Sequence, residues 1–284
     1  MRYRAGYLYG SRGARRSYLT KPIPQTTDSA FMTIDPTQFV LVFICLALGG
    51  VLKGATGAGA PILAIPALAA MFDVKLAVVI MMMPNLLTNL WQGWRHREHR
   101  LAGHLGWIFA VTGALGALAG TIMLAWLPHE ALAMIVAFAV ICYVILRLCR
   151  PDWSLSLQAG ERLSAPAGLV AGILQGSSGI SAPVSITFLS AMRLDRQAYI
   201  FTISVFFVAM TAVQIPTLGM VGLLSAPLLA ISLAAVVPIL LFMPVGTALA
   251  QRLSPAAFDR AILLLLIGLA LKLVFEAAPS VFGW

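Results

Sequence analysis

The stretch "GVLKGATGAGAPILAIPALAAMFDVK", residues 50–75, realigns on "GILQGSSGISAPVSITFLSAMRLDRQ", residues 172–197, at a constant shift of 122. Gly50, Leu52, Gly54, Gly57, Ala60, Pro61 and Asp73 fall on Gly172, Leu174, Gly176, Gly179, Ala182, Pro183 and Asp195. Chance can match glycines in an apolar chain, but it rarely matches glycine, proline and aspartate together and in order, which points to a duplicated unit. A second anchor pairs "LAGTIMLAWLP" around Gly120 with "PVGTALAQRLSP" around Gly246 at a shift of 126, so a small insertion separates the two anchors.

Outward from these anchors, each unit reads as four apolar segments. They lie at about 38–72, 75–94, 103–127 and 130–148, then at about 166–190, 197–218, 222–250 and 256–280. Runs of about 20 apolar residues suffice to cross a hydrocarbon core of roughly 30 Å. Lipid offers no partner to backbone polar groups, so a spanning chain is helical or a closed barrel, and the lack of period-two alternation chooses helices. Composition agrees: 60% of residues are hydrophobic, 10% are charged and the mean hydropathy is +0.93. A soluble domain carries roughly a quarter charged residues. The expected fold is an all-α polytopic membrane protein with two repeats of four segments, 38–150 and 166–284, joined by a cytoplasmic linker at 151–165.

The first segment, Gln38 to Phe72, would run to about 50 Å as one helix, more than a crossing needs, and "GATGAGAP" interrupts it. Two half-length helices around a glycine-rich break are expected here and at segment five, as a broken crossing or a re-entrant hairpin. Basic residues concentrate in the joints at 95–100, 147–162, 193–196 and 252–260, while the other joints carry only Lys75. With eight full crossings these joints would alternate between faces, against the positive-inside tendency. Re-entrant segments one and five remove the conflict: the repeats are then inverted, each with three crossings, and the N-terminus is external.

The formal charge of +9 does not call for a nucleic-acid partner. Arg2, Arg4, Arg12, Arg15, Arg16 and Lys21 stand in residues 1–31 against Asp28 alone, so much of the basicity is a tail. The tail has no apolar core of a signal peptide. Met32 opens "MTIDPTQFVLVFICLALGG", which reads as a natural membrane-protein start, and residues 1–37 are expected to be a disordered leader or a mispredicted upstream extension.

Lys53 stands out first among residues with chemistry. A lysine before a glycine-rich break in an apolar segment costs several kcal/mol to bury unless it meets water, an acid or an anion; Asp73 and Glu276 are the acids it could pair with. Helices starting near Gly59 and Ser181 would turn the positive ends of their dipoles toward the breaks, with Pro61 and Pro183 in their first turns. The candidate anion site therefore comprises Lys53, Gly54, Thr56, Gly57 and Gly59 in the first copy and Gln175, Gly176, Ser177, Ser178, Gly179 and Ser181 in the second. Asn85 and Asn89, one helical turn apart, form a second rank that could line a path or bond across helices. Tight helix packing is the competing account of the glycines. "GATGAG" lacks the strand and the G-K-[ST] ending of a nucleotide loop. Neither a metal-ligand set nor a catalytic constellation can be assembled, and no cofactor is expected.

The residues "KGATGAGAPILAIPAL" (53–68) and "QGSSGISAPVSITFL" (175–189), with four segments per half, resemble the TauE/SafE family of sulfite exporters, also called the sulfonate uptake permease family, over residues 38–280. Members often carry a longer glycine run before the proline, where this chain reads Ala58-Gly59-Ala60 and Ile180-Ser181-Ala182. The resemblance implies transport of sulfite or an organosulfonate, commonly outward and driven by an ion gradient, in the cell inner membrane. A coupling proton and a homo-oligomer are compatible with it, with Asp73 and Asp195 as proton-carrying candidates. An anion channel, a membrane enzyme and an accessory subunit are the alternatives.

Overall fold

The computed structural model describes residues 35–149, 153–252 and 263–275, which form helices and short joints, with no strand among the described residues. The first half contains α1 (Pro36–Thr56), α2 (Ala60–Ala69), α3 (Val74–Arg95), α4 (Leu105–Trp126) and α5 (His129–Cys149). The second contains α6 (Leu157–Ser178), α7 (Ala182–Ala191), α8 (Arg196–Met220), α9 (Ala226–Ala234), α10 (Val236–Arg252) and α11 (Leu263–Phe275). Helices α1, α3, α4, α5, α8 and the α9–α10 pair are long and apolar enough to cross a membrane. The chain is thus an integral multi-pass membrane protein of all-helical class. The basic tail, Arg150, Arg260 and Glu276 lie outside the described residues.

Both expected breaks occur where glycine is demanded. Helix α1 stops at Gly57, whose φ of 81° is left-handed and whose N–H bonds to the Lys53 carbonyl at 2.7 Å. Gly59, at φ 130°, then precedes α2, with Pro61 in its first turn. In the second copy Gly179, at φ 73°, donates to the Gln175 carbonyl at 2.8 Å, and Ser181 precedes α7. Each break reverses the chain. A Cβ at Gly49 would lie 3.5 Å from the Ala64 Cβ, whereas a straight helix would separate these positions by about 22 Å. The Leu155 N–H bonds to the Ala191 carbonyl at 2.7 Å, so α7 ends beside the start of α6.

Three boundaries differ from the sequence reading. Neither hairpin consists of two half-length helices: α1 runs unbroken for 21 residues and α6 for 22, and only α2 and α7, at 10 residues each, are short. Gly49, Gly50 and Gly54 do not interrupt α1, because their missing side chains admit neighbouring backbones. Helix α6 starts at Leu157, inside the stretch expected to be linker, with the Ser156 hydroxyl accepting the Ala159 N–H at 3.3 Å. The seventh segment is divided at Ala235. Pro238 has no N–H to offer the carbonyl one turn earlier, which accounts for that division.

Contacts between the halves set the helix directions. Asn85 touches Thr211 while Gly93 approaches Ser204, so α3 and α8 run antiparallel. Gly168, Gly172 and Gly176 press in turn on Phe109, Gly113 and Ala117, so α6 runs parallel to α4; Gly50 and Gly54 press likewise on Ile239 and Met243 of α10. The same contacts recur in both directions between the halves. Gly172–Gly113 answers Gly50–Ile239, Gly176–Ala117 answers Gly54–Met243, Gly120–Ile173 answers Gly246–Val51 and Gly179–Val78 answers Gly57–Ile200.

These directions gather charge at one end of the bundle. Arg95, His96 and Arg196 line a single cavity there, Arg97 and Arg100 follow α3, Arg147 lies beside Ala191, and Arg162 is in the second turn of α6. The opposite end carries Lys75, bonded to the Ala125 carbonyl at 3.2 Å, and Lys272, bonded to the Ala70 carbonyl at 2.8 Å.

Candidate functional site

Lys53 is buried to 1% exposure in the last turn of α1. Its Nζ donates to Asn89 Oδ1 at 2.9 Å. Asn89 Nδ2 donates to the Asn85 side-chain oxygen at 2.8 Å and to the Asn85 carbonyl at 2.7 Å. Asn85 Nδ2 donates to Thr211 Oγ1 at 3.1 Å, and Thr211 donates to the Phe207 carbonyl at 2.7 Å. A hydrogen-bonded chain thus runs from α1 through α3 into α8, joining the two halves. Lys53 is the one charged side chain among the described buried polar residues, and it has no carboxylate partner among them.

Neither acid of the duplicated motif is near this chain. Asp73 Oδ1 accepts the Leu76 N–H at 2.9 Å and caps α3; Asp195 Oδ1 accepts the N–H groups of Gln197 and Ala198 and caps α8. The two aspartates, which align in the glycine-motif comparison, thus cap helices at opposite ends of the bundle.

A cavity of about 820 Å³ opens at the basic end. The exposed Arg95 and Arg196 and the half-buried His96 form its mouth, Leu87, Trp91, Leu240 and Thr247 line an exposed wall, and the buried Gly54, Gly57 and Gln92 line its inner part. The side-chain positions of Gly54 and Gly57 are taken up by the Met243 backbone and the Ile200 side chain, so the break is packed where it borders the cavity. Lys53 precedes Gly54 in α1 without lining the cavity, and its partner Asn89 stands three residues before the cavity-lining Gln92 on α3. The Gln92 Oε1 atom is buried and has no hydrogen-bond partner. His96 is held below the usual histidine range first by partial burial and then by the charges of His99, Arg95 and Arg196.

The structure distributes the remaining candidate residues less simply. Thr56 donates to the carbonyls of Leu52 and Ala58; Ser177 donates to the Ile173 carbonyl at 2.8 Å and Ser178 to the Leu174 carbonyl at 2.7 Å. Their hydroxyl hydrogens are thus used by the turns themselves. Ser181 Oγ accepts from Ser185 at 3.1 Å. Gln175, at the position equivalent to Lys53, is buried with an unpartnered Oε1, and Gln214 donates to the carbonyls of Gln175 and Gly176 at 3.4 Å each. Gly59, Gly176 and Gly179 shape the two breaks without lining the basic cavity.

Sequence reasoning passed over Gln92 and over the mouth formed by Arg95, His96 and Arg196. Gln92 was detectable in principle: Asn85, Thr88, Asn89 and Gln92 form an i, i+3, i+4, i+7 polar stripe on an otherwise apolar helix. The mouth needs Arg196, a century of residues away from Arg95, and only the antiparallel pairing of α3 with α8 brings it there.

The profile of the family described as "Sulfite exporter TauE/SafE" matches residues 42–273, most of the chain, and bears out the resemblance read from the two glycine motifs. No curated protein and no solved structure matches.

Proposed function

Because the chain belongs to the TauE/SafE sulfite exporter family, we propose that it is a secondary transporter that exports a small sulfur-containing anion, such as sulfite or an organosulfonate, across the cell inner membrane. The observation that carries this reading is the cavity lined by three cationic side chains together with Gly54 and Gly57 of the break, with no acid among its lining residues and the buried Lys53 next to Gly54 in α1. Cations at the mouth raise the local concentration of anions. A desolvated lysine beside the break then supplies the charge that holds one.

The cross-half contacts support an inverted pair of repeats that rock against each other, with the site between them. The gathering of arginines at one end supports assigning that end to the cytoplasm. The cavity opens toward it, as expected for a loading state. The residues that contact the anion in this reading are Lys53, Gly54, Gly57 and Gln92, with Gln175 and Gln214 as their second-half counterparts.

Uptake or efflux of labelled sulfite and small sulfonates in reconstituted vesicles tests the reading. Saturable flux with counterflow is expected, at least tenfold reduced in Lys53→Ala and less in Ser178→Ala, whose hydroxyl already serves its own helix. Flux that rises linearly with concentration and shows no counterflow would mark a channel, and flux unchanged in Lys53→Ala would remove the site.

A further inference from the structure

We propose that the groove between α3 and α10 holds an anionic phospholipid, with its phosphate at Arg95 and Arg196 and an acyl chain along the apolar stripes below them. The site is the mouth and exposed wall of the basic cavity, and it stands whether or not a free anion is carried through the protein.

Two helices build the groove. Leu87, Trp91 and Arg95 recur at every fourth residue on one face of α3, and Leu240, Pro244 and Ala248 do the same on α10. All six are exposed and border one cavity, whose floor is formed by buried residues such as Gln92 and Met243. Eight residues give each stripe a length of about 12 Å. Just beyond the deep end the Ser232 hydroxyl donates to the Ile80 carbonyl and accepts the Met83 N–H, each at 2.9 Å, so α9 is pinned to α3 there. The groove opens from that point toward the basic end. At the shift of 122 between the halves, Leu87, Trp91 and Arg95 fall on Ala209, Val213 and Thr217 of α8, which are half-buried or buried. The exposed stripe is thus particular to α3.

The surroundings say what covers it. Both stripes lie on spanning helices, beside the exposed Leu90 and Leu241, so the groove opens sideways onto lipid. The exposed Trp94 ring adjoins Arg95 in sequence, and indole rings favour the headgroup level of a bilayer. That level puts Arg95 and Arg196 beside the lipid phosphates and Leu87 about 12 Å deeper, among the chains. Chains of the bilayer fill such a groove by default; the charge at its end makes one lipid preferred. No acid lines the cavity. Asp195, next to Arg196 in the chain, is turned to the N–H groups of Gln197 and Ala198, and Glu98 lies beyond α3 outside the lining. A phosphodiester with a glycerol headgroup brings one negative charge and no cation for the arginines to repel, whereas a choline headgroup brings both. Basic pockets between spanning helices recognise anionic headgroups in this way.

The test uses the full-length protein in phosphatidylcholine vesicles that contain, as a minor component, either phosphatidylglycerol or phosphatidylcholine brominated on its acyl chains. Bromine quenches a tryptophan that it touches. Trp91 lines the groove, and its fluorescence is the difference between the wild type and Trp91→Phe. Half-quenching of that signal is expected at a fraction of brominated phosphatidylglycerol at least fivefold lower than the fraction of brominated phosphatidylcholine that matches it, since each basic residue near a charged bilayer surface is worth roughly fivefold. In Arg95→Gln/Arg196→Gln the preference should fall to near unity while both lipids still quench. Equal quenching by the two lipids in the wild type overturns the proposal, as does a preference that survives in the double variant. A Trp91 signal untouched by either lipid also overturns it, because chains then do not enter the groove. The wild-type comparison is decisive by itself, so misfolding of the double variant does not rescue the proposal. Sulfonate flux is not the readout, and the transport reading stands or falls separately.

Discussion

Gly54 of α1 and Met243 of α10 meet so closely that a methyl group added to Gly54 would overlap the Met243 carbonyl oxygen, and Gly176 meets Ala117 of α4 in the same way. The neighbour in each case is backbone, which cannot swing aside as a flexible side chain can. Gly54→Ala and Gly176→Ala should each therefore destabilise the protein by about 1–3 kcal/mol, the usual range for overpacking. Gly219→Ala, where no atom lies within 4 Å of the added carbon, is the control. Thermal unfolding midpoints in detergent report the difference, and equal midpoints for Gly54→Ala and Gly219→Ala would contradict the contact.

The bond from Lys53 to Asn89 should appear as an energetic coupling. Asn89→Leu deprives the buried amine of its acceptor, a loss of about 1.5–3 kcal/mol when the donor is charged. In Lys53→Met/Asn89→Leu the amine is gone as well, so part of that loss should return. A double-mutant cycle on unfolding free energy is expected to give an interaction above about 0.5 kcal/mol. Additive effects would mean that the two side chains do not depend on each other.

The sequence disclosed the breaks well because they make a demand that few residues meet: Gly57, Gly59 and Gly179 adopt positive φ, and prolines follow in the first helical turn. It disclosed Lys53 because a lysine in an apolar segment has no ordinary explanation. It misled at the start of α6, where Glu161 and Arg162 look like loop residues but lie on the exposed side of a helix. The serine and threonine hydroxyls were legible as donors, yet a helical hydroxyl in apolar surroundings finds the carbonyl one turn back, and no pattern of residues reveals that choice. The cavity mouth was hidden for a different reason, since it depends on which helices pair.

Asp73 and Asp195 should behave as structural residues. Replacing either by alanine removes an N-cap acceptor and should lower stability by about 0.5–2 kcal/mol. Initial sulfonate uptake per folded molecule, and its pH dependence, should stay the same in both variants. A changed pH dependence of uptake in Asp73→Ala or Asp195→Ala would give the acids a part in transport beyond capping.

His96 should give the cavity mouth its own response to acid. Burial and the charges of His99, Arg95 and Arg196 hold its imidazole below the ordinary value, which is about 6.5. As pH falls through that value the unfolded chain takes up its proton first, so the native state loses stability between the ordinary histidine value and the lowered one. Once the folded imidazole is protonated, the mouth gains a positive charge and should capture anions faster. Wild-type initial uptake rates for a sulfonate are therefore expected to climb on the acid side more steeply than those of His96→Gln. Added salt should shrink the difference, because charges at an open mouth are screened. If the two pH profiles superimpose at low salt, the imidazole does not take part in drawing anions to the break.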